Sequence, residues 1–187
     1  EFALKTGMRP EEYLALKWKD VDFENQAVIV RRKVVLSRAG EPVFEETKTK
    51  GSRRLIKIVD DRLLERLKLH REEQKKHLAK FKKYANLKYQ NFNLVFPSST
   101  GTPYSLQNLL RRYFRPILEK AGLKDQGITI YSLRHTMATL LLLSGDSVKV
   151  VSERLGHASV AITLDTYSHV LPTMQAEASR KLTELLD

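Results

Sequence analysis

The sequence predicts a mainly α-helical domain with a small three-stranded antiparallel sheet. After Asp60, apolar residues recur at helical spacing, and glycines follow several of these runs. Before Asp60, short stretches rich in β-branched residues are separated by turn residues, which is typical of antiparallel strands. With 187 residues, 42% of them hydrophobic, the chain can bury the core of one domain.

The predicted strands lie in the first third of the chain. A short helix precedes them over residues 10–17, because Pro10 suits the first helical position and acidic residues follow it. Three β-rich stretches are then predicted to be strands: residues 27–36, 43–47 and 53–59. The last two are joined around residues 50–52, so the sheet should carry a basic hairpin tip.

The rest of the chain is predicted to be helical, apart from an irregular stretch at residues 84–104. Ser105 suits the N-cap of one helix and Gly122 its end, while Gly145 and Gly156 are predicted to end two later helices. The predicted helices cover residues 62–83, 105–121, 133–145, 147–155, 159–168 and 174–186. No third ligand accompanies His70 and His77, so we interpret them as surface residues rather than a metal site.

The composition restricts the possible partners. The chain has 33 Lys and Arg against 22 Asp and Glu, a formal net charge of +11. That excess indicates a polyanionic partner, nucleic acid first, although charge alone does not separate DNA from RNA or from an anionic membrane surface. The absence of cysteine excludes disulfides and thiolate metal sites and is compatible with a reducing cytoplasm. Because the chain begins inside a predicted helix, we expect further sequence upstream.

A site that breaks a phosphodiester without a metal has clear requirements. Fixed cations must meet the charge on the non-bridging oxygens, and arginine suits this best because its planar fork binds two oxygens. A nucleophile must attack in line, and an acid must protonate the leaving oxygen. The candidates, in chain order, are Arg9 with Glu12, Lys48, Arg134, His157 and Tyr167.

Each candidate alone also has an ordinary structural interpretation. Arg9 precedes a helix start, where free N–H groups favour phosphate, but it could be a surface residue, and Glu12 could simply cap the helix. A lysine on the hairpin, such as Lys48, could enter a DNA groove or make a general phosphate contact. The same hairpin carries Lys50, Arg53 and Arg54, which we predict to bind DNA. Arg134 opens a helix against its dipole, which favours a role towards an anion.

Together the candidates resemble the tyrosine recombinases, the phage integrase family, over essentially the whole chain. Thr6-Gly7-Met8-Arg9 is similar to the family's first arginine motif, and Thr47-Lys48-Thr49 to its lysine hairpin. Leu133-Arg134-His135-Thr136 resembles the second arginine motif, and Leu155-Gly156-His157 with Tyr167 and His169 resembles the terminal block. The resemblance implies the DNA breaking-rejoining fold.

The resemblance also implies roles. Tyr167 would be the nucleophile that forms a 3′-phosphotyrosyl bond and frees a 5′-hydroxyl, with Arg9 and Arg134 holding the scissile phosphate. His157 would hydrogen-bond a non-bridging oxygen, and Lys48, with Lys50 as the alternative, would protonate the leaving oxygen. The implied supporting residues are Glu12, Tyr131, His135 and His169. No ATP, metal or other cofactor is needed, because the phosphotyrosine conserves the bond energy.

One position departs from the family pattern. The family usually has histidine three residues before the second arginine, and here Tyr131 stands there. A phenol with an ordinary pKa of about 10 is a poor general base near neutral pH. The departure puts the efficiency of acid–base catalysis in doubt more than the family resemblance.

The family's architecture predicts what lies around this domain. Residues 1–187 would be the catalytic domain, with the core-binding domain and any arm-binding domain outside this chain. The final helix, residues 174–186, either packs on its own domain or is exchanged between protomers. The implied partners are double-stranded DNA and the other protomers of a tetrameric synaptic complex in the cytoplasm, with no membrane.

Two other functions remain open. Residues 147–168 could form the helix-turn-helix of a DNA-binding module without chemistry, although the second helix lacks Arg, Lys, Asn and Gln for reading bases. The same catalytic residues could also serve a type IB-like topoisomerase, which relaxes supercoils instead of exchanging strands.

Overall fold

The computed structural model describes residues 1–47, 52–81 and 89–186, and it confirms the mainly helical fold class. The described helices are α1 Phe2–Thr6, α2 Pro10–Tyr13, α3 Asp61–Phe81, α4 Leu106–Leu109, α5 Arg115–Lys120, α6 Ser132–Leu143, α7 Val148–Leu155, α8 Val160–Tyr167 and α9 Leu171–Leu186. The described strands are β1 Val21–Asp22, β2 Ala27–Val30, β3 Arg32–Leu36, β4 Pro42–Glu46 and β5 Arg54–Lys57.

The prediction of a single strand over residues 27–36 is wrong, because this stretch forms two strands that lie in two different sheets. β2 pairs with β1 and β5 in a three-stranded antiparallel sheet, whereas β3 pairs only with β4 among the described strands. Neighbouring side chains of a regular strand point to opposite faces, yet Arg31 and Arg32 both form ion pairs with the buried Asp20 carboxylate. The interruption at Arg31 allows both guanidinium groups to reach it.

Helix α2 ends at Tyr13, earlier than the predicted residue 17, because the following backbone makes a tertiary pairing. The Leu16 carbonyl accepts from Val95 N at 2.8 Å, and Trp18 N donates to the Asn93 carbonyl at 3.0 Å. These bonds hold residues 16–18 against the irregular segment before α4 and leave a 3-10 turn at Trp18–Asp20.

The helix predicted over residues 105–121 contains a π-helical stretch. Ser105 caps α4 as predicted, accepting from Asn108 N at 3.1 Å. The π turn at Leu110–Phe114 then precedes Pro116, which has no N–H for the carbonyl four residues back. The last helix starts at Leu171 rather than 174, so Pro172 falls in its first turn, where proline is tolerated.

In the described part of the chain, two buried clusters form the core. The first joins the β-sheet to α2 and α3 and includes Leu63, Leu64 and Leu67 of α3. His70, predicted to be a surface residue, belongs to this region: its Nε2 lies 2.7 Å from the Val95 carbonyl, and its ring contacts Trp18 and Phe96. The second cluster belongs to the last third of the chain and consists of Met137, Ala138, Leu142, Val151, Leu155, Tyr167 and Val170.

Two glycines allow the halves of the domain to approach closely. Gly7 ends α1 with φ 65°, and a Cβ there would lie 1.9 Å from Met137 Cε of α6. Gly156 ends α7 with φ 68°, and a Cβ there would lie 2.7 Å from a guanidinium nitrogen of Arg54. A side chain at Gly7 would displace the end of Met137, and one at Gly156 would displace the Arg54 guanidinium; either would also be strained by the positive φ.

None of the helices in the described part of the chain is both long enough and apolar enough to span a membrane.

Candidate active site

The structure brings Arg9 and Glu12 together at the start of α2. Arg9 N donates to Glu12 Oε2 at 2.8 Å, and the Arg9 guanidinium reaches Glu12 Oε1 at 3.1 Å. The carboxylate therefore caps the helix, as one interpretation predicted, and also fixes the arginine. The Arg9 side chain remains 35% exposed while that of Glu12 is 5% exposed, so the guanidinium sits where a ligand from outside can meet it.

Arg54 is the second partner of the Glu12 carboxylate. Its Nη1 and Nη2 bind the two carboxylate oxygens at 3.0 and 2.8 Å, and its Nε donates to the Arg154 carbonyl at 2.6 Å. We predicted Arg54 as a DNA contact, but its guanidinium is buried and bound to Glu12. That interpretation must be corrected, because a guanidinium engaged in this way does not extend to a DNA backbone.

Burial alone would raise the pKa of the Glu12 carboxyl. The hydrogen bonds and charge of Arg54, with the N–H of Arg9, outweigh it and lower that pKa below its ordinary value. Glu12 is therefore ionised at neutral pH. Because the folded pKa is lower than the unfolded one, this pair stabilises the fold above the ordinary glutamate range and less as the pH falls through the lowered pKa.

We expect Glu12→Gln to destabilise the protein by about 3–5 kcal/mol at neutral pH, because it leaves the Arg54 charge buried without its counter-ion. Denaturant unfolding measures this cost, and the difference from the parent should shrink in acid. Glu72→Gln, which breaks the exposed pair with Lys75, is the matched control and should leave stability nearly unchanged, because solvent screens that pair. Equal effects of the two variants would contradict a buried ion pair at Glu12.

Arg134 lies in the first turn of α6 and points into the domain. Its Nη1 donates to the Gly7 carbonyl and its Nη2 to the Leu155 carbonyl, both at 2.6 Å. Burial, with the charges of Arg9 and Arg54, lowers its pKa to about 10, so the group stays charged at neutral pH. Arg9 reaches the same Leu155 carbonyl at 3.4 Å, so two guanidinium groups far apart in the sequence converge on one carbonyl.

His157 lies two residues after Leu155, whose carbonyl accepts from both arginines. Its Nδ1 lies 2.8 Å from the hydroxyl of Thr163, which is fully buried on α8. Burial, followed by the charges of Arg134, Arg9 and Arg54, lowers the pKa of His157 to about 4. The imidazole is therefore neutral at physiological pH. Within the described residues its Nε2 makes no hydrogen bond, which leaves that nitrogen for a ligand.

Tyr167 is buried at the end of α8, with 3% of its surface exposed. Its hydroxyl lies 3.0 Å from Nδ1 of His135 on α6. Burial raises the pKa of the Tyr167 phenol, and the nearby charge of Arg134 acts in the opposite direction. The phenol is thus protonated at neutral pH and held beside the arginine cluster.

Tyr131 donates its hydroxyl to Glu11 Oε1 at 2.7 Å. Burial and this bond raise the pKa of Tyr131 to about 12. The phenol is therefore bound to α2 and does not accept a proton near neutral pH.

The other predicted site residues are less closely tied to this cluster. Lys48 and Lys50 lie outside the described residues. Arg53 is exposed beside β5, and His169 is exposed in the 3-10 turn after α8. In the part of the chain that is described, His169 makes no hydrogen bond with the other site residues.

The assembled site has a surplus of positive charge. Arg9, Arg54 and Arg134 act on one another and on His157, while Glu12 is the carboxylate that forms ion pairs with them among the described residues. Cations crowded in this way favour an anion, and a phosphate suits the planar guanidinium groups. Across the described ranges, no group of three or more His, Cys, Asp or Glu is placed to hold a metal ion.

Sequence reasoning missed three of these contacts: Arg54 to Glu12, Tyr131 to Glu11, and His135 to Tyr167. His135 was named only as a supporting residue. The partners are separated by 42, 120 and 32 residues, so no local spacing indicates them.

The fold is that of the tyrosine recombinase catalytic domains. Similar solved structures include the Tn1549 transposon integrase in complex with transposon right end DNA, with a TM-score of 0.75 at 23% identity, covering 95% of this chain and 56% of that one. The family model described as the phage integrase family matches residues 1–174, and the chain belongs to that family.

Curated relatives agree with this assignment. The chain is 34% identical to a protein named tyrosine recombinase XerC-like from Caldanaerobacter subterraneus, covering 98% of this chain and 48% of the relative. It is 32% identical to the ICEBs1 integrase of Bacillus subtilis, covering 98% of this chain and 47% of the relative. The chain thus spans about half the length of these curated relatives.

Proposed function

We propose that this chain is the catalytic domain of a site-specific DNA recombinase or integrase that cleaves and rejoins strands through a 3′-phosphotyrosine. The observation that carries the proposal is the convergence of Arg9 and Arg134 on the Leu155 carbonyl. That carbonyl lies two residues before His157, and the charge of Arg134 also acts on Tyr167. Family membership and the relatives' names, recombinase and integrase, support the same function.

In this proposal the scissile phosphate occupies the position between Arg9, Arg134 and His157. Arg134 is already held by two carbonyls, so little reorganisation is needed when charge builds up on the non-bridging oxygens. In this proposal the Thr163 hydroxyl donates to Nδ1 of the neutral His157, so the ring proton lies on Nε2 and is donated to the phosphate. Glu12 and Arg54 act as positioning residues that keep Arg9 aimed at the phosphate.

The reaction exchanges one phosphoester for another. The Tyr167 oxygen loses its proton and attacks phosphorus, the bond to the 5′ oxygen breaks, and the 3′ phosphate remains on the tyrosine. The leaving oxygen takes a proton, which we assign to Lys48, with Lys50 as the alternative. Attack by a 5′-hydroxyl on the phosphotyrosine reverses these steps and joins strands, so no ATP, metal or other cofactor is consumed.

The proposed substrate is double-stranded DNA held by basic residues around the site. Arg53 is exposed next to β5, and the net charge of +11 suits a polyanion. One related solved structure is a complex with transposon end DNA, and other relatives are named as phage and transposon proteins. We therefore place the reaction in the cytoplasm of a bacterial or phage-host cell, on a mobile genetic element.

Of the alternative functions, the helix-turn-helix module is disfavoured by the burial of side chains on α8. Thr163 and Tyr167 of that helix are buried, with the Thr163 hydroxyl against His157 and the Tyr167 hydroxyl against His135. A topoisomerase would share the chemistry, but the relatives' names favour recombination. Relaxation of a plasmid that lacks any recombination site would favour the topoisomerase.

We further propose that α9 is exchanged between protomers of a tetramer bound to two duplexes. Its leucines Leu182, Leu185 and Leu186 are 58%, 83% and 78% exposed, although such side chains favour burial. An apolar helix face left open in one chain fits a neighbouring protomer.

Leu182→Ser combined with Leu185→Ser should abolish assembly of the tetramer on DNA while leaving the thermal unfolding of the free domain unchanged within about 2 °C. Light scattering of the DNA complex measures the assembly. Thr183→Ala, on the same helix, is the control. If the double variant unfolds at a much lower temperature, α9 packs on its own domain and the exchange proposal is wrong.

Covalent capture from DNA of mixed sequence tests the proposed function. The chain, extended by its natural upstream sequence, is incubated with a fragmented library of bacterial DNA, denatured and recovered by an affinity tag. We expect DNA of a shared sequence to remain attached after denaturation. Recovery of no attached DNA, or of sequences without a common site, would contradict a site-specific strand transferase.

A further inference from the structure

The contact between His135 and Tyr167 joins an accessible imidazole to a buried phenol. The Tyr167 hydroxyl lies 3.0 Å from Nδ1 of His135, and the ring centroids are 5.9 Å apart at an angle of 53°. Tyr167 is 3% exposed, whereas His135 is exposed on the outer side of α6. The histidine thus connects the buried phenol to solvent.

The Tyr167 phenol needs a proton acceptor before it can attack phosphorus. Burial raises its pKa above the ordinary value of about 10, and the opposing charge of Arg134 does not cancel the rise. A neutral phenol is a weak nucleophile, so a base within hydrogen-bond distance is required.

The other candidates near the site do not meet this need. The Tyr131 phenol, with a pKa raised to about 12, donates its own proton to Glu11. Nδ1 of His157 is engaged with Thr163, and its Nε2 is assigned to the phosphate. Within residues 1–47, 52–81 and 89–186, His135 is the side chain that hydrogen-bonds the Tyr167 hydroxyl.

We propose that His135 is the general base that takes the proton from Tyr167 during cleavage, an inference that rests on the proposed function. The hydroxyl proton moves to Nδ1 of His135, the Tyr167 oxygen forms its bond to phosphorus, and the bond to the 5′ oxygen breaks. The leaving oxygen receives a different proton from the acid. On rejoining, the imidazolium returns its proton to the departing Tyr167 oxygen.

The position of His135 on α6 explains how one helix supplies both the phosphate-binding Arg134 and the proposed base. Neighbouring residues of an α-helix are about 100° apart around its axis, so Arg134 faces the interior while His135 faces the end of α8. The two carbonyls that hold Arg134 therefore also fix the position of His135. Arg134 acts electrostatically on Tyr167, and His135 acts on His157.

Nitrogen NMR of the imidazoles tests the contact without any DNA. His135 must carry its proton on Nε2 at neutral pH so that Nδ1 can accept. We expect that tautomer in the parent protein and a changed Nδ1 shift in Tyr167→Phe, while the distant His70 and His77 remain unchanged. A proton found on Nδ1 of His135 would make it a donor and overturn the proposal.

Cleavage kinetics test the chemistry, using nicked duplexes that carry the site recovered by covalent capture. His135→Gln and His135→Ala should both slow adduct formation by about 10²–10⁴-fold. DNA affinity should stay unchanged. Glutamine accepts a hydrogen bond but not a proton, so rescue by His135→Gln would show that His135 only positions Tyr167. His77→Gln, an exposed residue of α3, is the matched control and should cleave normally.

A substrate with sulfur in place of the 5′ bridging oxygen separates the base from the acid. A thiolate leaves without protonation, so this substrate should rescue Lys48→Ala but not His135→Ala. Rescue of His135→Ala would overturn the assignment, because it would place His135 on the leaving-group side. A parent protein that forms no adduct at all would instead contradict the proposed function.

Discussion

Replacing Tyr167 by phenylalanine should abolish the covalent protein–DNA adduct completely while leaving DNA affinity within about two-fold. The substitution removes only the hydroxyl, and the arginines that bind the phosphate are held by carbonyls and Glu12 rather than by Tyr167. Because the nucleophilic oxygen is absent, no slower route remains. Denaturing gels measure the adduct, and a filter or mobility assay measures binding.

The matched control for this experiment is Tyr113→Phe. Tyr113 is 46% exposed and its hydroxyl lies 3.0 Å from that of Tyr104, away from the arginine cluster. This variant should form the adduct at the parental rate. An adduct formed by Tyr167→Phe would show that another residue is the nucleophile, whatever the arrangement of the arginines.

Arg134→Lys should reduce the cleavage rate by about 10²–10³-fold, the cost of losing a preorganised donor at the developing charge. Lysine keeps the charge, but it cannot bind the Gly7 and Leu155 carbonyls and the phosphate in one plane. DNA affinity should fall much less, because many other cations contribute to it. Single-turnover cleavage of the captured site measures the rate.

The exposed Arg111, on the π turn, offers the corresponding control. Arg111→Lys should cleave at the parental rate. The buried carbonyls add a second expectation. Arg134→Ala removes the side-chain donor of the Gly7 carbonyl and the shorter of two such bonds to the Leu155 carbonyl. It should therefore lower the free energy of unfolding by about 1–3 kcal/mol, measured with denaturant. Normal cleavage by folded Arg134→Lys would contradict the phosphate-binding role.

Local signals in the sequence predicted much of the helical part of the fold. Ser105 caps α4 as predicted, and Gly156 ends α7 in the left-handed conformation. These features depend on neighbouring residues only. The break at Arg31 and the early end of α2 depend on Asp20 and on the segment around Val95, so propensity alone could not reveal them.

In the candidate site, too, the sequence motifs predicted individual residues but not their long-range contacts. The motifs indicated Arg9, Arg134, His157 and Tyr167, and the structure brings them together. Linear spacing could not separate Arg54 from its exposed neighbour Arg53, because the buried partner, Glu12, lies 42 residues earlier. The pairing of His135 with Tyr167 was likewise hidden, since it depends on how α8 packs against α6.

The most direct test of the whole account is to map the atom that joins protein and DNA. The captured adduct is digested with protease and nuclease, and the linked peptide is sequenced by mass spectrometry. The account predicts a 3′-phosphate ester on Tyr167, in the peptide that follows Arg154, and a free 5′-hydroxyl on the released strand. A linkage through any other side chain, or a 5′-phosphate ester, would contradict it.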